Sequence, residues 1–371
     1  FSEDDFHSLH TRRADEARSL RGVGVAAYLD VEQILAIAKE CGCNAIHPGY
    51  GFLSENAWFA RRCTEEGINF VGPLPGTLEI FGDKARARAL AERCGVPVLA
   101  GTLGPVTLEQ AKEFLSSLGN GGSMMIKAIA GGGGRGMRAV DRQEEVEEAY
   151  TRCRSEALQA FGNGDVYVEQ LMVRARHIEV QVIGDGSGCA SHLWERECSI
   201  QRRNQKLIEI APCPGLSPGL RARLTSDAIR LAEAVRYKNL GTFEFLVDAK
   251  AMNDNAIYAF IEANPRLQVE HTVTEEVMGV DLVKIQLQLA TGSTLEELGL
   301  RQADIPMPRG FAVQTRINME TMGADGSTRP AGGTLTAFEV PSGSGVRTDT
   351  CGYVGYRTNP NFDSLLAKLI G

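Results

Sequence analysis

Two glutamates, and the polar row behind the second of them, are the part of this 371-residue sequence best placed to do chemistry. Thr242-Phe-Glu-Phe-Leu-Val247 and Ala256-Ile-Tyr-Ala-Phe-Ile-Glu262 are rich in aromatic and β-branched residues. Asp248, Asn253, Asp254 and Asn255 between them favour turns, and the whole predicts a β-hairpin. A hairpin roughly symmetric about Asn253 sets Glu244 opposite or nearly opposite Glu262. Carboxylates that close repel, so the pair costs stability unless positive charge sits with it. A divalent cation meets that need. Mg²⁺ takes one or two protein carboxylates and completes its shell with water and phosphates, which points to a nucleotide site. Beyond Glu262 the chain reads Ala-Asn-Pro-Arg-Leu-Gln-Val-Glu270. Alternation along extended backbone puts Glu262, Asn264, Arg266, Gln268 and Glu270 on one side, with Ala263, Pro265, Leu267 and Val269 on the other. The apolar run from Ile257 to Ile261 predicts burial on both faces just before Glu262, and a buried carboxylate needs a partner. That run weighs against the blander reading, a solvated edge strand.

Two other stretches carry charge. Strand-like Ser123-Met-Met-Ile-Lys-Ala128 and Met137-Arg-Ala-Val140 flank Gly131-Gly-Gly-Gly-Arg-Gly136. A Walker loop or a dinucleotide fingerprint opens a helix, and neither fits here. A glycine hairpin folded over phosphates fits better, its backbone N–H groups forming an anion nest and Lys127 adding charge; the alternative is a flexible linker. The run Glu197-Cys-Ser-Ile-Gln-Arg-Arg-Asn-Gln-Lys206 places three cations in five residues. Alone that is a solvated surface; beside a nucleotide site it holds phosphate or a small anion.

The elements that must position these groups alternate. Asp30 and Gln33 suggest a capping box for a helix ending at Gly42, followed by a short strand from 43 to 47, a helix from 54 to 66 and a strand from 68 to 71. This βα alternation predicts a parallel sheet, with His47 as a structural residue at a strand end. Gly72-Pro-Leu-Pro-Gly76 breaks the pattern. Helices are predicted from 83 to 93, from Thr107 with its Gln110 box, from 144 to 160, from 217 to 237 and from 281 to 290. Strands are predicted at 166–170, 178–183, 189–197 and 311–317, the last carrying Arg316. The length allows two or three domains. A net charge of -8 and a pI near 5.5 speak against a general nucleic-acid or membrane-surface binder. Of nine cysteines only Cys41 and Cys43 lie close together, so neither zinc pairs nor an oxidising compartment is indicated. There is no apolar run long enough to cross a bilayer and no secretory pattern.

Five separated motifs converge on one family. Ala45-Ile-His-Pro-Gly-Tyr-Gly-Phe-Leu-Ser-Glu-Asn56, Gly82-Asp-Lys84, Ile126-Lys-Ala128 with the glycine hairpin, Glu195-Arg-Glu-Cys-Ser-Ile-Gln-Arg-Arg203 and Glu262-Ala-Asn-Pro-Arg-Leu-Gln-Val-Glu-His271 occur in order. Together they closely resemble the biotin carboxylase component of biotin-dependent carboxylases, within the ATP-grasp enzymes, over essentially the whole chain. The resemblance implies an α/β fold of the α+β ATP-grasp kind. Its parts would be an N-terminal parallel-sheet domain at 1–71 without the family's first strand, a linker at 72–100, a mobile glycine-rich lid at 101–171 and a C-terminal mixed-sheet domain at 172–371. That last domain carries the active site and is cut short at its end.

The family's chemistry is carboxylation of carrier-borne biotin by bicarbonate and ATP through carboxyphosphate. By resemblance Lys84, Lys127 and the glycines Gly132, Gly133 and Gly134 contact the ATP phosphates. Glu169 and the backbone near Leu171 hold adenine, and His177, Gln201 and Asn204 lie by the nucleotide. Glu244, Glu262 and Asn264 bind Mg²⁺ or Mn²⁺. Lys206, Arg266, Gln268 and Val269 surround bicarbonate, Glu270 removes its proton, and Arg316 stabilises the biotin enolate. Asn204 departs from the His of many members. The implied partners are carrier and carboxyltransferase domains or subunits and a second copy of the chain, with no nucleic acid or membrane. The implied compartment is cytoplasm or mitochondrial matrix. An acyl-CoA is the expected final acceptor, with pyruvate and urea open. Another ATP-grasp ligase and a noncatalytic ATP-binding module are the competing readings.

Overall fold

Short apolar runs between helical segments pair locally at the start of the chain. Strands β1 (Ala45–Ile46) and β2 (Asn69–Phe70) lie parallel, as βα alternation requires. Helices Val31–Glu40 and Ala57–Glu65 pack Leu35, Phe59 and Cys63 into their core. The computed structural model describes residues 1–371 apart from 103, 120, 130–135, 251 and 325 and the side chain of residue 161. Gly132, Gly133 and Gly134 therefore lie outside the described residues.

Local chemistry explains where the predictions shift. Asp30 accepts from the Gln33 backbone N–H, but the Gln33 side chain reaches the Asp30 carboxylate instead of its backbone, so that capping box is half made. The Thr107–Gln110 box is complete. Asn56 caps the helix predicted to begin at 54. The proline-rich break opens helix Pro75–Gly82, since a proline at the first helical position lacks only an N–H that would have had no intrahelical partner.

Strands β3 (Met124–Ala128), β4 (Met137–Val140) and β5 (Val166–Gln170) form an antiparallel sheet in the order β4-β3-β5. Helices Leu108–Ser117 and Val146–Phe161 cover it around Met124, Ile126 and Val168.

The larger sheet contains β6 (Ala175–Asp185), β7 (Ala190–Arg202), β8 (Gln205–Ala211), β9 (Lys238–Asp248), β10 (Tyr258–Asn264) and β11 (Ala312–Asn318). Strands Leu365–Ile370 and Arg347–Thr350 complete the order β10-β9-β6-β7-β8-β11 and onward. Its ladders are antiparallel, and the parallel contact comes from the bridge between Val98 and Phe260 at the β10 edge. Period-two alternation divides its faces. Ile178, Val180, Val182, Phe243, Phe245 and Val247 share an apolar core with helices Lys84–Arg93 and Pro218–Ala234. The intervening Glu179, Gln181, Thr242 and Glu244 face the other way. There, helices His271–Met278 and Leu282–Ala290 build a second core around Ile183, Leu193 and Leu240. His47 accepts from the Gly49 N–H and meets Gln286 at 3.0 Å, tying the N-terminal segment to the second of these helices. Gly241 sits where a Cβ would lie 2.0 Å from the Tyr237 hydroxyl, so no larger residue fits beside Thr242. Among the described residues no helix is long and apolar enough to cross a membrane.

The apolar face holds the site rigid from behind. Phe243 is fully buried, with its ring centroid 5.2 Å from Phe81 and 5.9 Å from Tyr237. Phe243→Ala should cost about 3–5 kcal/mol in urea unfolding. A loss under about 1 kcal/mol would mean that the core collapses onto the gap.

Candidate active site

Strand register lays one row of charge across four strands. Glu262 of β10 stands opposite Glu244 of β9, Glu244 opposite Glu179 of β6, and Glu179 opposite Arg196 of β7. The sequence predicted the first pair; the second and third members follow from the pairing of β6. Three adjacent carboxylates demand compensation. Arg196, fully buried, donates Nε to Glu179 at 2.5 Å and its other N–H groups to Gln181, Thr242, Gln268 and Thr274. Lys206 Nζ lies 2.6 Å from Glu179, 2.9 Å from Glu244 and 2.6 Å from Glu270. His177 Nε2 is 2.6 Å from Glu244, an ion pair by distance without hydrogen-bond alignment.

These contacts decide the charges. Burial alone would push the Lys206 ammonium down, but Glu179, Glu244 and Glu270 outweigh it and hold the amine well above the usual lysine range. Burial also opposes an ionised Glu244, yet Lys206 and His177 keep that carboxyl well below its ordinary value. Glu262 goes the other way. Burial, reinforced by the Glu244 charge, raises it, and it makes no ion pair or side-chain hydrogen bond among the described residues.

Past Asn264 the predicted alternation fails. Strand β10 ends there, and Pro265, which cannot donate to a ladder, begins an irregular turn that runs into helix His271–Met278. Val269, expected on the opposite side, lines the same cleft as Gln268 and Glu270. Ile261 occupies a bulge, and Ile257, expected to be buried, is 69% exposed. The turn delivers Glu270 into a cage, its carboxylate accepting from Lys206 at 2.6 Å and from Arg316 at 3.0 Å. Burial would raise the Glu270 carboxyl; Lys206, Arg316 and Arg196 prevail and bring it down to about 2. Arg316 also donates to the buried Glu209 at 2.7 Å. Arg266 donates to Glu55 at 2.5 Å and to Asn264 at 3.2 Å.

Most predicted residues meet. Lys84, Lys127, Glu169, His177, Gln201, Asn204, Lys206, Glu244, Glu262, Asn264, Arg266, Gln268, Val269, Glu270 and Arg316 line one cleft of about 710 Å³. Lys127 and Glu169 form an ion pair inside it. Leu171 does not join them; it lines a separate cavity with Val98 and Met172. Asn204 has φ 65° and Arg203 φ 50°, and together they make the two-residue turn between Arg202 and Gln205. Asn tolerates that left-handed conformation, which accounts for the residue at this position. Lys206 turns inward just after it, while Arg202 pairs with Glu320.

Glu179 and Glu209 escape the sequence reading, and Glu55 and Arg196, although inside two of the motifs quoted above, receive no role from it. Glu179 sits in the alternation Ile178-Glu-Val-Gln-Val, which reads as a solvated face. The usable signal was an opposite charge, Arg196, in the next strand-like run. Glu244, Glu262 and Asn264 offer hard oxygen donors, and Glu262 makes no direct ion pair among the described side chains, with Lys84, Lys206 and His177 acting on it only from a distance, so this set fits Mg²⁺ or Mn²⁺.

Three family models match in succession. They are the biotin carboxylase N-terminal domain over residues 1–78, the carbamoyl-phosphate synthase L chain ATP-binding domain over 83–298 and the biotin carboxylase C-terminal domain over 314–371. The chain belongs to the biotin carboxylase family. It is 49% identical to the pyruvate carboxylase of Aspergillus niger, a match covering 99% of the chain and 30% of that protein. Thus the chain spans about a third of the length of the curated relatives it matches. One similar solved structure is the biotin carboxylase domain dimer of Hydrogenobacter thermophilus 2-oxoglutarate carboxylase, in complex with MgADP, ADP and bicarbonate. It shares 41% identity at a TM-score of 0.90, covering 100% of this chain and 79% of that one. Another is a single-chain, multi-domain long-chain acyl-CoA carboxylase, 43% identical at a TM-score of 0.85, covering 100% of this chain and 34% of that one. The biotin carboxylase fold, a parallel N-terminal part followed by antiparallel sheets, is the architecture described above.

Removing Arg196 leaves the buried Glu179 with Lys206 as its one cationic partner among the described residues. Arg196→Met should lower stability by about 3–5 kcal/mol, and adding Glu179→Gln should restore part of it. Urea unfolding of the single and double variants measures both, and strictly additive losses would show that the two side chains are not coupled.

Proposed function

We propose that this chain catalyses the ATP-dependent carboxylation of biotin on a carrier domain, with bicarbonate as the carbon source. That is the first half-reaction of a multi-domain biotin-dependent carboxylase. The observation that carries the reading is Glu270, a fully buried carboxylate kept ionised by Lys206 and Arg316 at a cation-lined cleft. A binding module has no use for such a base.

Lys84 and Lys127 take the ATP phosphates, Glu169 and backbone near Leu171 take adenine, and His177, Gln201 and Asn204 lie along the nucleotide. Lys127 and Glu169, paired with each other here, part to do so. Glu244, Glu262 and Asn264 hold Mg²⁺ or Mn²⁺, which when bound neutralises charge on the phosphates. Lys206, Arg266, Gln268 and the backbone at Val269 hold bicarbonate. A carboxylate with a value near 2 is a feeble base, and the physical cause supplies the remedy. An anion that draws Lys206 to itself removes the charge that depresses Glu270, so arrival of bicarbonate raises the basicity of the group that takes its proton. The deprotonated anion attacks the γ-phosphorus and ADP leaves, giving carboxyphosphate. Carboxyphosphate then breaks into CO₂ and phosphate, the phosphate takes the ureido N–H proton of biotin, and Arg316, adjoining Glu270, favours the resulting enolate, whose nitrogen attacks the CO₂.

The final acceptor is set by a carboxyltransferase partner. The likeness to pyruvate carboxylases favours pyruvate, while the likeness to an acyl-CoA carboxylase keeps an acyl-CoA, the acceptor expected from sequence, as the second reading. Self-association is supported by the dimer among the related structures.

ADP release with Mg²⁺ and bicarbonate, with and without free biotin, tests the proposal directly. Stimulation by biotin that vanishes without bicarbonate is expected; turnover indifferent to both would overturn it. Glu270→Gln should lower kcat by about 10²–10⁴ while the Kd for ATP stays within about two-fold. Full turnover in that variant would remove Glu270 from the chemistry. Lys127→Ala should weaken ATP binding by roughly 10–100-fold in calorimetry. Unchanged affinity would take Lys127 off the phosphates.

A further inference from the structure

The turn from Gln268 to Glu270 is gripped from behind by two groups with no assigned part in the reaction. His271 Nδ1 meets the Gln268 carbonyl at 2.7 Å. Burial, aided by Lys368 and Arg196, holds its ring down at about 4, so at neutral pH the ring is uncharged and its Nδ1–H donates to that carbonyl. Lys368, nine-tenths buried on the strand Leu365–Ile370, donates Nζ to the Val269 carbonyl at 2.9 Å. Lys368 stands directly opposite Arg316 in the register of that strand with β11, so both side chains leave the same face of the sheet. They reach one target: Arg316 takes the Glu270 carboxylate and Lys368 the carbonyl just before it.

The consequence is fixed by peptide geometry. In a trans peptide the N–H points away from the C=O. Anchoring the Gln268 and Val269 carbonyls on the protein side leaves the Val269 and Glu270 N–H groups directed away from their anchors. Neither N–H makes a hydrogen bond among the described residues, and both residues line the cleft. Two backbone donors and a carboxylate base are thus set by one rigid turn.

We propose that Lys368 is a positioning residue for the bicarbonate step: by holding the Val269 carbonyl it fixes the Val269–Glu270 peptide, and with it the backbone donors and the Glu270 carboxylate. Lys368 touches no substrate in this role. The inference rests on the function proposed above, because it assigns the turn to bicarbonate. Asp349, 3.5 Å from Lys368 Nζ, holds the amine from its other side.

Bicarbonate-dependent ADP release by the full chain is the test, with Lys368→Met and Lys368→Arg beside the unsubstituted protein. Lys368→Met keeps the apolar stem and deletes the donor. It should raise the KM for bicarbonate or lower kcat by roughly ten-fold or more, since outer groups that orient reacting ones carry effects of that size. The KM for ATP should stay within about two-fold, and Lys368→Arg, which can still donate, should recover most of the loss. A general loss of fold would instead move the ATP and bicarbonate parameters together and lower Tm, and that pattern overturns the role, as do unchanged kinetics in Lys368→Met. Absence of bicarbonate-dependent turnover in the unsubstituted chain is a different result. It overturns the proposed function, and this role falls with it.

Discussion

Three glutamates side by side across β10, β9 and β6 are the constraint on which the remaining architecture depends. Register fixes their spacing, so they cannot relax apart without breaking the ladders. Lys206, at 2.6–2.9 Å from its carboxylates, gains about 6 kcal/mol of gross attraction per pair at an effective dielectric of 20, against several kcal/mol of desolvation for each buried ion. The balance is near zero when each carboxylate is matched and strongly unfavourable when one is not. This explains why Arg196 spends its Nε–H on Glu179 and its remaining N–H groups on neutral oxygens of the same cluster. It also explains why Glu262, the end of the row without such a partner, is the member pushed toward neutrality.

The unmatched end and the matched end have different chemical value. Glu262, together with Glu244 and Asn264, is suited to a cation brought in from outside. Glu270, eight residues further along the same segment, is surrounded by protein cations and stays ionised. One stretch of nine residues therefore holds an anionic site and a cationic site side by side. A nucleotide with its metal and a small carboxylate-like anion require that juxtaposition, and the apolar face behind β9 keeps the two from moving relative to each other.

How much of this was legible in sequence follows from the range of each interaction. The hairpin and the Glu244–Glu262 opposition are local: a turn between two β-rich runs sets them, and their register appears as predicted. Glu179 is 65 residues upstream of Glu244 on a strand that meets β9 only in the folded sheet, so alternation alone reads it as a solvated polar face. Alternation groups Glu262, Asn264, Arg266, Gln268 and Glu270, which do share the cleft, but it sends Val269 to the other side, where the structure does not put it. Pro265 ends the strand, and a turn, rather than the pleat, brings Gln268, Val269 and Glu270 into the cleft together. Likewise the Gly72-Pro-Leu-Pro-Gly76 stretch was read as a break although Pro75 begins a helix, because proline marks both an interruption and a start. Motif resemblance supplied the residues proposed for the site, and geometry supplied the roles of the groups that hold them: Arg196, Glu179, Glu209 and Glu55.

The site is also spread over nearly the whole chain, and this limits how it can be divided. Glu55 comes from the N-terminal segment, Lys84 from the helix after it, Lys127 from the small sheet, and Lys206, Glu244 and Glu262 from the large one. Arg316 and Lys368 come from the last strands of the sequence. Lys84, Lys127, Glu169, His177, Gln201 and Asn204 lie within the segment that matches the ATP-binding model, whereas Arg316, the second cation on Glu270, lies beyond it. Removing those strands would leave Glu270 with Lys206 and Arg196 alone and would free the Val269 carbonyl. The segment that matches the ATP-binding model carries Lys84, Lys127, Glu244 and Glu262, but the ion pairs that hold Glu270 are completed by the C-terminal strands. Under the proposed function, Arg316 of the C-terminal strands thus acts on the same carboxylate as Lys206 of the ATP-binding segment.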